Sequence, residues 1–491
     1  MNRTLLSLLC IVVVSPFARA DNAAVADDPK AIAEKCAAYM DARMKISKFS
    51  GSLIVARNGE PLFEGGYGLA NVEHNVPNTP KTKFRLASVS KQFVATGIMI
   101  LEHEGKLKVE DTLQKHLSDC PKAWADVTIH QLLSHTSGVP ENLRPALFQG
   151  KWPVPVSTSH VYDVVKDKPL DFKPGEKWSY SNTGYDLLGL IIEKITGKSY
   201  GDFLKERIFD PLHMYDTGVD SRPLVLKNRA YNYGLQRGEY IIAQYIDMSE
   251  VYAAGSLYST VEDLLKWDNA LFTEKLLPKK SWERMWTPVK NDYGYGWAIS
   301  SRFGKKVITH NGGLPGCTTT VERYPESKLF IAVLCNLEGS PMRRVCTDMS
   351  AIALGEPYDL PVEHKEIKAD PKTFDAYLGE FELKPKLILT ISKTGDSLCG
   401  QATSQVKFQL YPEAEARFFA RIDEIVITFV KDDKGQVNEM IYRQNGRDIK
   451  AKRVVKAPEK KEEKKEEKKQ DKKEDKKEQK KEEKKQEKDK A

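Results

Sequence analysis

Apolar and polar positions along the chain follow two kinds of period. Residues 29–46, PKAIAEKCAAYMDARMKI, have the pattern of a helix. Two apolar runs then flank Asn58-Gly59, a dipeptide typical of a two-residue turn, and together they predict a β-hairpin. Strand patterns return at residues 305–310, 318–324 and 328–336. The strand-forming segments therefore lie at both ends of this first region.

Helical and loop patterns fill the interval between these strands, roughly from Val89 to Leu271. The segment after Lys91, QFVATGIMILEHEGKL, resembles an amphipathic helix. Strands at both ends with helices between them predict an α+β fold, in which one antiparallel sheet is flanked by a large helical region. We assign residues 21–360 to this domain.

The pattern changes near Pro361. From Phe374 to about Val455, short strand-like runs such as YLGEFEL, KLILTIS and EIVITFV are separated by turn signals, including Asn445-Gly446. This spacing predicts a small all-β domain at residues 365–455, either a barrel or a sandwich. Its role stays open between a lid, a wall of the substrate entrance, a dimer surface and a structural cap.

The two termini have compositions of their own. Arg3, an apolar run at residues 5–14 and Ala18-Arg19-Ala20 are typical of a secretory signal, so residues 1–20 are predicted to be removed on export to the periplasm or the medium. No later segment has the pattern of a membrane span. Residues 456–491 repeat lysine and glutamate pairs and are predicted to form a solvated, disordered tail.

Charge and metal-ligating residue types exclude two classes of function. The net charge of +7 is partly carried by the tail, and no concentrated basic face emerges, so no nucleic-acid partner is predicted. The nine histidines show neither an H-E-x-x-H motif nor a close cluster with cysteine, so no metal or cofactor is predicted.

Export permits disulfides, but a domain of this size does not need them. We therefore predict free, buried thiols for the six cysteines outside the signal, which are Cys36, Cys120, Cys317, Cys335, Cys346 and Cys399.

The stretch FRLASVSKQF contains two serines ahead of one lysine. On a helix, residues three apart share a face and adjacent residues do not, so Ser88 meets Lys91 while Ser90 points elsewhere. A lysine kept neutral by burial can take the proton of a serine hydroxyl and make it nucleophilic. Ser88 is therefore the candidate nucleophile, although a four-residue pattern also arises by chance.

Two further segments supply the groups that an acyl-transfer site needs. In EKWSYSNTGY, Tyr180 and Asn182 point the same way if the segment is extended; Tyr180 is placed to relay protons and Asn182 to contact Lys91 and a substrate amide.

In VITHNGGLPG, His310 is placed to donate a hydrogen bond or a positive charge, and Gly312 lets a substrate backbone lie close. The backbone amide of Gly313 pairs with that of Ser88 as a candidate oxyanion hole. Taken alone, each segment also fits an ordinary loop or turn.

S-x-x-K, Y-x-N and H-x-G, in this order, resemble the three motifs of the serine β-lactamase and penicillin-binding protein superfamily. The resemblance is closest to the branch of class C β-lactamases, D-alanyl-D-alanine carboxypeptidases, D-aminopeptidases and esterases, and it covers about residues 30–355. It implies that Ser88 is acylated, that Lys91 is its base and that Tyr180 shuttles protons. By the same resemblance, Asn182, His310 and Gly312 contact substrate, and the amides of Ser88 and Gly313 hold the oxyanion.

The third motif departs from the K-T-G of many relatives. The triplet Lys393-Thr394-Gly395 lies in the later β region, where it fits a hairpin turn, so we interpret it as unrelated to the site. His310 in place of lysine removes a permanent cation, and a protonated His310 would lose its hold on a substrate carboxylate as the pH rises through its pKa. His135 in HTSG is predicted to be a structural loop residue.

These motifs predict a secreted serine hydrolase that acts on amide bonds of peptides containing D-amino acids, as a carboxypeptidase or a D-aminopeptidase. A β-lactamase and a short-chain esterase are the alternatives within this class, and a non-catalytic module that binds penicillin or peptide is the alternative outside it. The expected partners are a small peptide, a β-lactam or an ester. The sequence leaves the oligomeric state open.

Overall fold

The computed structural model describes residues 28–46, 49–141, 155–157, 163–236, 238–385, 387–403, 405, 407–421, 425–444 and 446–454. The chain divides into two units between Glu363 and His364. The predicted signal at residues 1–20 and the predicted tail at residues 456–491 lie outside the described residues.

A six-stranded antiparallel sheet forms the centre of the first unit, with the strand order β10-β11-β12-β13-β1-β2. Its strands come from both ends of the unit, as the sequence predicts: β1 (Gly51–Arg57), β2 (Glu60–Tyr67), β10 (Ala298–Arg302), β11 (Lys305–Leu314), β12 (Cys317–Tyr324) and β13 (Leu329–Cys335). Asn58 and Gly59 join β1 to β2 with φ angles of 54° and 86°, which confirms the predicted two-residue hairpin.

Short strands that the sequence patterns do not reveal connect the sheet to the helices. They are β3 (Leu69–Asn71), β4 (Val76–Pro77), β5 (Phe84–Arg85), β6 (Gly218–Val219), β7 (Tyr233–Gln236), β8 (Glu239–Ile242) and β9 (Leu257–Ser259). Each has only two to four residues, too few for an alternating pattern to stand out.

The α-helices of the first unit lie on both faces of the sheet. Within the described residues they are α1 (Pro29–Ile46), α2 (Lys91–His103), α3 (Leu113–His116), α4 (Ile129–Leu133), α5 (Asn182–Thr196), α6 (Tyr200–Leu204), α7 (Tyr252–Gly255), α8 (Val261–Ala270), α9 (Lys279–Met285) and α10 (Met342–Leu354).

The sheet separates two apolar cores. Strand β1 is buried on both faces: Leu53 and Val55 point into the core shared with α1 and α10, whereas Ile54 points into the larger core of the helical region. Side chains alternate between the faces of a strand, so a strand covered on both sides is mostly apolar, as β13 (LFIAVLC) and the centre of β1 (residues 53–56) are. Burial of each such side chain contributes roughly 1.5–3 kcal/mol.

Helix α2 departs from the amphipathic pattern that its sequence suggests. Every residue from Lys91 to Leu101 is buried, because the helix runs through the middle of the larger core and packs on other helices. Phe93, for example, lies 4.6 Å from Trp267 between ring centroids. A helix that is buried all round belongs to the core, and the candidate base Lys91 is the first residue of this one.

The second unit is a closed eight-stranded barrel, which decides between the two predicted architectures. Its strands are β14 (Gly379–Lys384), β15 (Leu387–Thr394), β16 (Ser397–Ala402), β17 (Phe408–Ala414), β18 (Arg417–Phe419), β19 (Val426–Lys431), β20 (Val437–Gln444) and β21 (Arg447–Arg453). Phe381, Leu389, Ile427 and Met440 lie in its apolar core. Closure leaves the barrel without an unpaired strand edge.

The described residues also provide findings on cysteines, on membrane spans and on groups of metal-ligating side chains. All six cysteines are buried and free, which confirms the predicted thiols. No helix in the described ranges is long and apolar enough to cross a membrane. No group of three or more His, Cys, Asp or Glu side chains in those ranges is arranged to hold a metal ion.

Candidate active site

The S-x-x-K segment forms a short 3₁₀ turn, Ala87–Ser90, that leads directly into α2. Ala87 has a φ of 49°, a left-handed conformation that is strained for a residue with a side chain. Ser88 follows it and is half-buried. The Lys91 amine donates a hydrogen bond to Ser88 Oγ at 3.2 Å, so the structure brings together the two side chains that the spacing pairs.

Ser90 faces away from this contact. Its side chain is fully buried, and its Oγ accepts a hydrogen bond from the backbone N–H of Leu257 at 3.2 Å. Ser88 is thus the serine that lies beside Lys91.

The Lys91 side chain is fully buried. Its Nζ donates to Asn182 Oδ1 and to the carbonyl oxygen of Ala254, both at 2.8 Å. Complete burial lowers the pKa of Lys91 to about 7, and the carboxylates of Asp186 and Glu141 oppose this shift. Near neutral pH a large fraction of Lys91 is therefore unprotonated and able to accept a proton.

The Y-x-N segment reaches the same lysine. Ser181 caps α5 by accepting a hydrogen bond from Gly184 N at 3.1 Å, and this fixes Asn182 as the first residue of the helix. Tyr180 lies just before the cap, with its ring centroid 4.9 Å from Lys91 Nζ. The two predicted residues therefore both border the Ser88–Lys91 pair.

His310 is buried and has hydrogen-bond partners on both ring nitrogens. Nδ1 lies 2.7 Å from the carbonyl oxygen of Asn311, so it carries the proton; Nε2 then accepts from the Tyr293 hydroxyl at 2.8 Å. Burial and, secondarily, the charge of Lys91 lower the pKa of His310 to about 3. The imidazole is therefore neutral at physiological pH, and the expected pH-dependent hold on a substrate carboxylate does not follow from this geometry.

The edge of β11 that follows His310 lies beside the nucleophile turn. Within the described residues, β10 pairs only with residues 305–309 of β11, whereas β12 continues to pair as far as Leu314. Gly312 is buried against the turn, and a Cβ placed there would lie 2.3 Å from the Leu86 carbonyl oxygen. Gly313 is exposed, and a Cβ placed there would have no atom within 4 Å. This edge is where an extended substrate backbone has room beside Ser88.

Four residues in or next to the site were not assigned from the sequence, or were assigned only a structural role. Asp186 is buried and accepts from Ala254 N at 3.0 Å, while Glu141 accepts two hydrogen bonds from Asn182. Tyr293 contacts His310, as described above. The His135 ring contacts that of Tyr180 with a centroid distance of 4.3 Å and a tilt of 37°, and it accepts from Ser181 N at 3.1 Å, contacts that suit a structural role.

Of the three residues that had no sequence assignment, only Tyr293 lies in a distinctive phrase, YGYGW at residues 293–297. Isolated acidic residues such as Asp186 and Glu141 carry none, because nothing in their local pattern separates them from surface carboxylates.

A family model described as Beta-lactamase matches residues 37–354. The chain belongs to this family. This membership confirms the superfamily that the three motifs indicate, and with it the predicted fold and class: the chain is a serine hydrolase that works by acyl transfer. A second model, described as a domain of unknown function (DUF3471), matches residues 363–453.

Some of the similar proteins are described as penicillin-binding proteins and another as an amidase. Penicillin-binding protein 4* of Bacillus subtilis (strain 168) is 30% identical over 434 residues, which cover 82% of this chain and 94% of that protein. The octameric penicillin-binding protein homologue from Pyrococcus abyssi shares 27% identity at a TM-score of 0.63, over 85% of this chain and 99% of that one. D-amino acid amidase from Ochrobactrum anthropi SV3 shares 26% identity at a TM-score of 0.57, over 66% and 97%. This β-lactamase family member therefore has relatives of more than one specificity.

Proposed function

We propose that this protein hydrolyses amide bonds of peptides or amides containing D-amino acids, through an acyl-enzyme on Ser88. The observation that carries the proposal is the buried Lys91 amine, 3.2 Å from Ser88 Oγ and with its pKa lowered to about 7. A base with a pKa near the working pH combines a useful unprotonated fraction with a useful affinity for the proton.

The residues have defined parts in the proposed acylation. Ser88 Oγ attacks the carbonyl carbon as Lys91 Nζ takes its proton, and the backbone N–H groups of Ser88 and Gly313 stabilise the oxyanion. Tyr180 passes a proton to the leaving nitrogen as the C–N bond breaks, which leaves an ester on Ser88. A water molecule then attacks this ester, the product acid leaves, and Ser88 regains its proton.

Two observations support a D-amino-acid substrate rather than a β-lactam. The neutral His310 provides no permanent cation where many relatives have the lysine of K-T-G. In addition, D-amino acid amidase from Ochrobactrum anthropi SV3 is among the structural relatives. Asn182 and Gly312 border the space beside Ser88, where they are placed to contact the substrate amide and backbone.

The proposed location is outside the cytoplasm. It rests on the composition of residues 1–20, and cell-wall peptides with D-amino acids are then within reach. Expression with a cleavable reporter and N-terminal sequencing of the exported protein tests it; an unprocessed N-terminus in the cytoplasm contradicts it.

Intact-protein mass spectrometry tests the proposed reaction. Wild type, Ser88→Ala and Ser90→Ala are incubated with a D-alanyl peptide, a D-amino acid amide, a short-chain ester and a fluorescent penicillin. We expect an acyl adduct or product with wild type and Ser90→Ala but none with Ser88→Ala, and fastest turnover of a D-amino-acid substrate. Turnover that survives in Ser88→Ala contradicts the nucleophile. Binding of all four ligands without turnover supports the non-catalytic module instead.

A further inference from the structure

Glu141 is tied to the start of α5 by a continuous set of hydrogen bonds. The side chain of Ser181 donates to the Val139 carbonyl at 3.3 Å, and that of Thr183 donates to the Pro140 carbonyl at 2.8 Å. Residues 139–141 thus run alongside residues 181–183, and each of residues 181–183 bonds to one residue of the other segment. Such pairing places the Glu141 carboxylate at a defined position next to Asn182.

The carboxylate holds Asn182 at two points. Its Oε2 accepts from the backbone N–H of Asn182 at 2.7 Å, and its Oε1 accepts from Asn182 Nδ2 at 3.0 Å. The backbone N–H is one of those at the N-terminus of α5, where a negative charge is favourable. Both contacts are charge-assisted hydrogen bonds, which are stronger than neutral ones.

These contacts decide which way the Asn182 amide faces. The oxygen and nitrogen of an amide occupy nearly the same shape, so packing alone does not orient it. An ionised carboxylate only accepts hydrogen bonds, so it requires Nδ2 on its side. Oδ1 must then face the opposite way, where it accepts from Lys91 Nζ at 2.8 Å.

We propose that Glu141 is a positioning residue for acylation: it orients the Asn182 amide, and the amide holds the Lys91 amine beside Ser88. This inference rests on the proposed function, because it assigns to Glu141 a part in the proton transfer from Ser88. Glu141 does not touch the reacting atoms in this arrangement; it acts through Asn182.

The charge of Glu141 has a second effect on Lys91. The charged and titratable groups that face or influence Lys91 come from several elements and are Glu141, Tyr180, Tyr185, Asp186, His135 and His310. Of these, Glu141 and Asp186 raise the pKa of Lys91 against the larger effect of burial. Removal of the Glu141 charge therefore favours the unprotonated amine, and this moves the acidic limb of the rate profile to lower pH.

The test measures the acylation rate constant with p-nitrophenyl butyrate from pH 5 to 9. Wild type is compared with Glu141→Gln, Glu141→Asp and the matched control Glu283→Gln, which changes an exposed carboxylate paired with Lys279. For Glu141→Gln we expect the midpoint of the acidic limb to move down by about one pH unit, and the rate on the alkaline plateau to fall about tenfold. Glu141→Asp keeps the charge but shortens the side chain, so its midpoint stays while its plateau falls.

The same substitutions in an Asn182→Ala background separate positioning from a general loss of packing. If Glu141 acts through Asn182, the plateau effect of Glu141→Gln nearly disappears in that background. Two results overturn the proposal. One is a Glu141→Gln variant whose acidic limb keeps the wild-type midpoint. The other is a fall in plateau rate on Glu141→Gln that is as large in the Asn182→Ala background as in the wild-type background. If Glu141→Gln does not fold, judged by its thermal transition, Glu141→Asp with and without Asn182→Ala decides the question in the same way.

Failure of the proposed function has a different signature. Ser88→Ala that retains the wild-type rate, or wild type that forms no adduct on Ser88, contradicts the acyl-enzyme itself. A normal Ser88 adduct combined with unchanged profiles in the Glu141 variants contradicts only the part assigned to Glu141.

Discussion

Gly312 lies directly against Leu86, two residues before the candidate nucleophile Ser88. A Cβ on Gly312 would come 2.3 Å from the Leu86 carbonyl oxygen and equally close to Thr319 Oγ1, two atoms that are themselves joined by a hydrogen bond of 2.8 Å. Because one of these atoms belongs to the backbone, it cannot move away without shifting the turn that carries Ser88. The absence of a side chain at Gly312 thus sets how closely β11 approaches the nucleophile.

A pair of glycine substitutions tests this close approach. Gly312→Ala is expected to lower the free energy of unfolding by about 1–3 kcal/mol and to slow Ser88 acylation, because the added methyl forces the two segments apart. Gly313→Ala is expected to change stability little, since no atom lies within 4 Å of its Cβ position. Chemical denaturation of both variants measures the difference. Equal stability of the two would contradict the steric argument.

The two serines of the motif are expected to respond to alanine in opposite ways. Ser90→Ala leaves the buried N–H of Leu257 without its acceptor, so stability should fall by about 1–3 kcal/mol while acylation persists. Ser88→Ala should abolish acylation with little loss of stability, because Ser88 is half-buried and donates to no structural partner in the described contacts. Urea denaturation measures the stability of the two variants, and mass spectrometry measures their acylation.

The pKa of Lys91 predicts the pH profile of acylation. Only the unprotonated amine accepts the Ser88 proton, so the rate should fall about tenfold per pH unit below pH 7 and level off above it. The pKa of His310 is about 3, so its imidazole stays neutral between pH 5 and 8 and causes no further change of the acylation rate in this range. Single-turnover acylation across this range provides the measurement. A rate independent of pH between 5 and 7 would rule out Lys91 as the base.

The same shift predicts a slope in stability. The pKa of Lys91 is about 7 in the folded protein and ordinarily 10.5, so between these values the unfolded chain binds a proton that the folded chain does not. The free energy of unfolding should therefore rise with pH across this window, by up to about 1.4 kcal/mol per pH unit.

Lys91→Met removes the titrating group and keeps most of the volume. The difference in stability between wild type and this variant isolates the contribution of Lys91, since the other titrating groups are common to both. Parallel stability curves for the two proteins from pH 7 to 10 would show that the amine is not buried in its neutral form.

The K-T-G triplet of the second unit should be dispensable. Lys393 and Thr394 end β15, and Gly395 makes the turn to β16 with a φ of 57°. Lys393 is paired with the exposed Asp375 at 3.1 Å, a contact worth at most about 1 kcal/mol. Lys393→Ala is expected to leave the acylation of Ser88 at the wild-type rate; a loss of rate would show that the triplet takes part in the reaction.

Features set by neighbours in the chain could be predicted from the sequence. Asn58-Gly59 specifies its turn by conformational preference alone, and the spacing of Ser88 and Lys91 gives their contact once the segment is helical. The barrel strands with alternating apolar residues, such as β15 and β19, were visible for the same reason. The strand β21, RDIKAKR, was not visible, because five of its seven residues are charged, as they also are in lysine-rich loops.

Features set by distant contacts could not be predicted. Nothing in the pattern around Glu141 or Asp186 shows that each carboxylate bonds to a residue that itself accepts a hydrogen bond from Lys91. The neutral state of His310 is likewise set by burial and by the charge of Lys91, neither of which is visible in the H-x-G motif. In both cases the chemistry of a side chain depends on groups that only the folded chain brings to it.

The strand order of the central sheet also governs when the site can assemble. Residues 51–57 pair with residues 329–335, so β1 stays without that partner until almost all of the first unit has left the ribosome. β11, with the glycines that border Ser88, joins the sheet only through β12 and β13, which are equally late. Contacts this distant in sequence slow folding. The site therefore cannot assemble on the nascent chain before residue 335 has been made, and until then the edge of β1 that later binds β13 has no partner from this sheet.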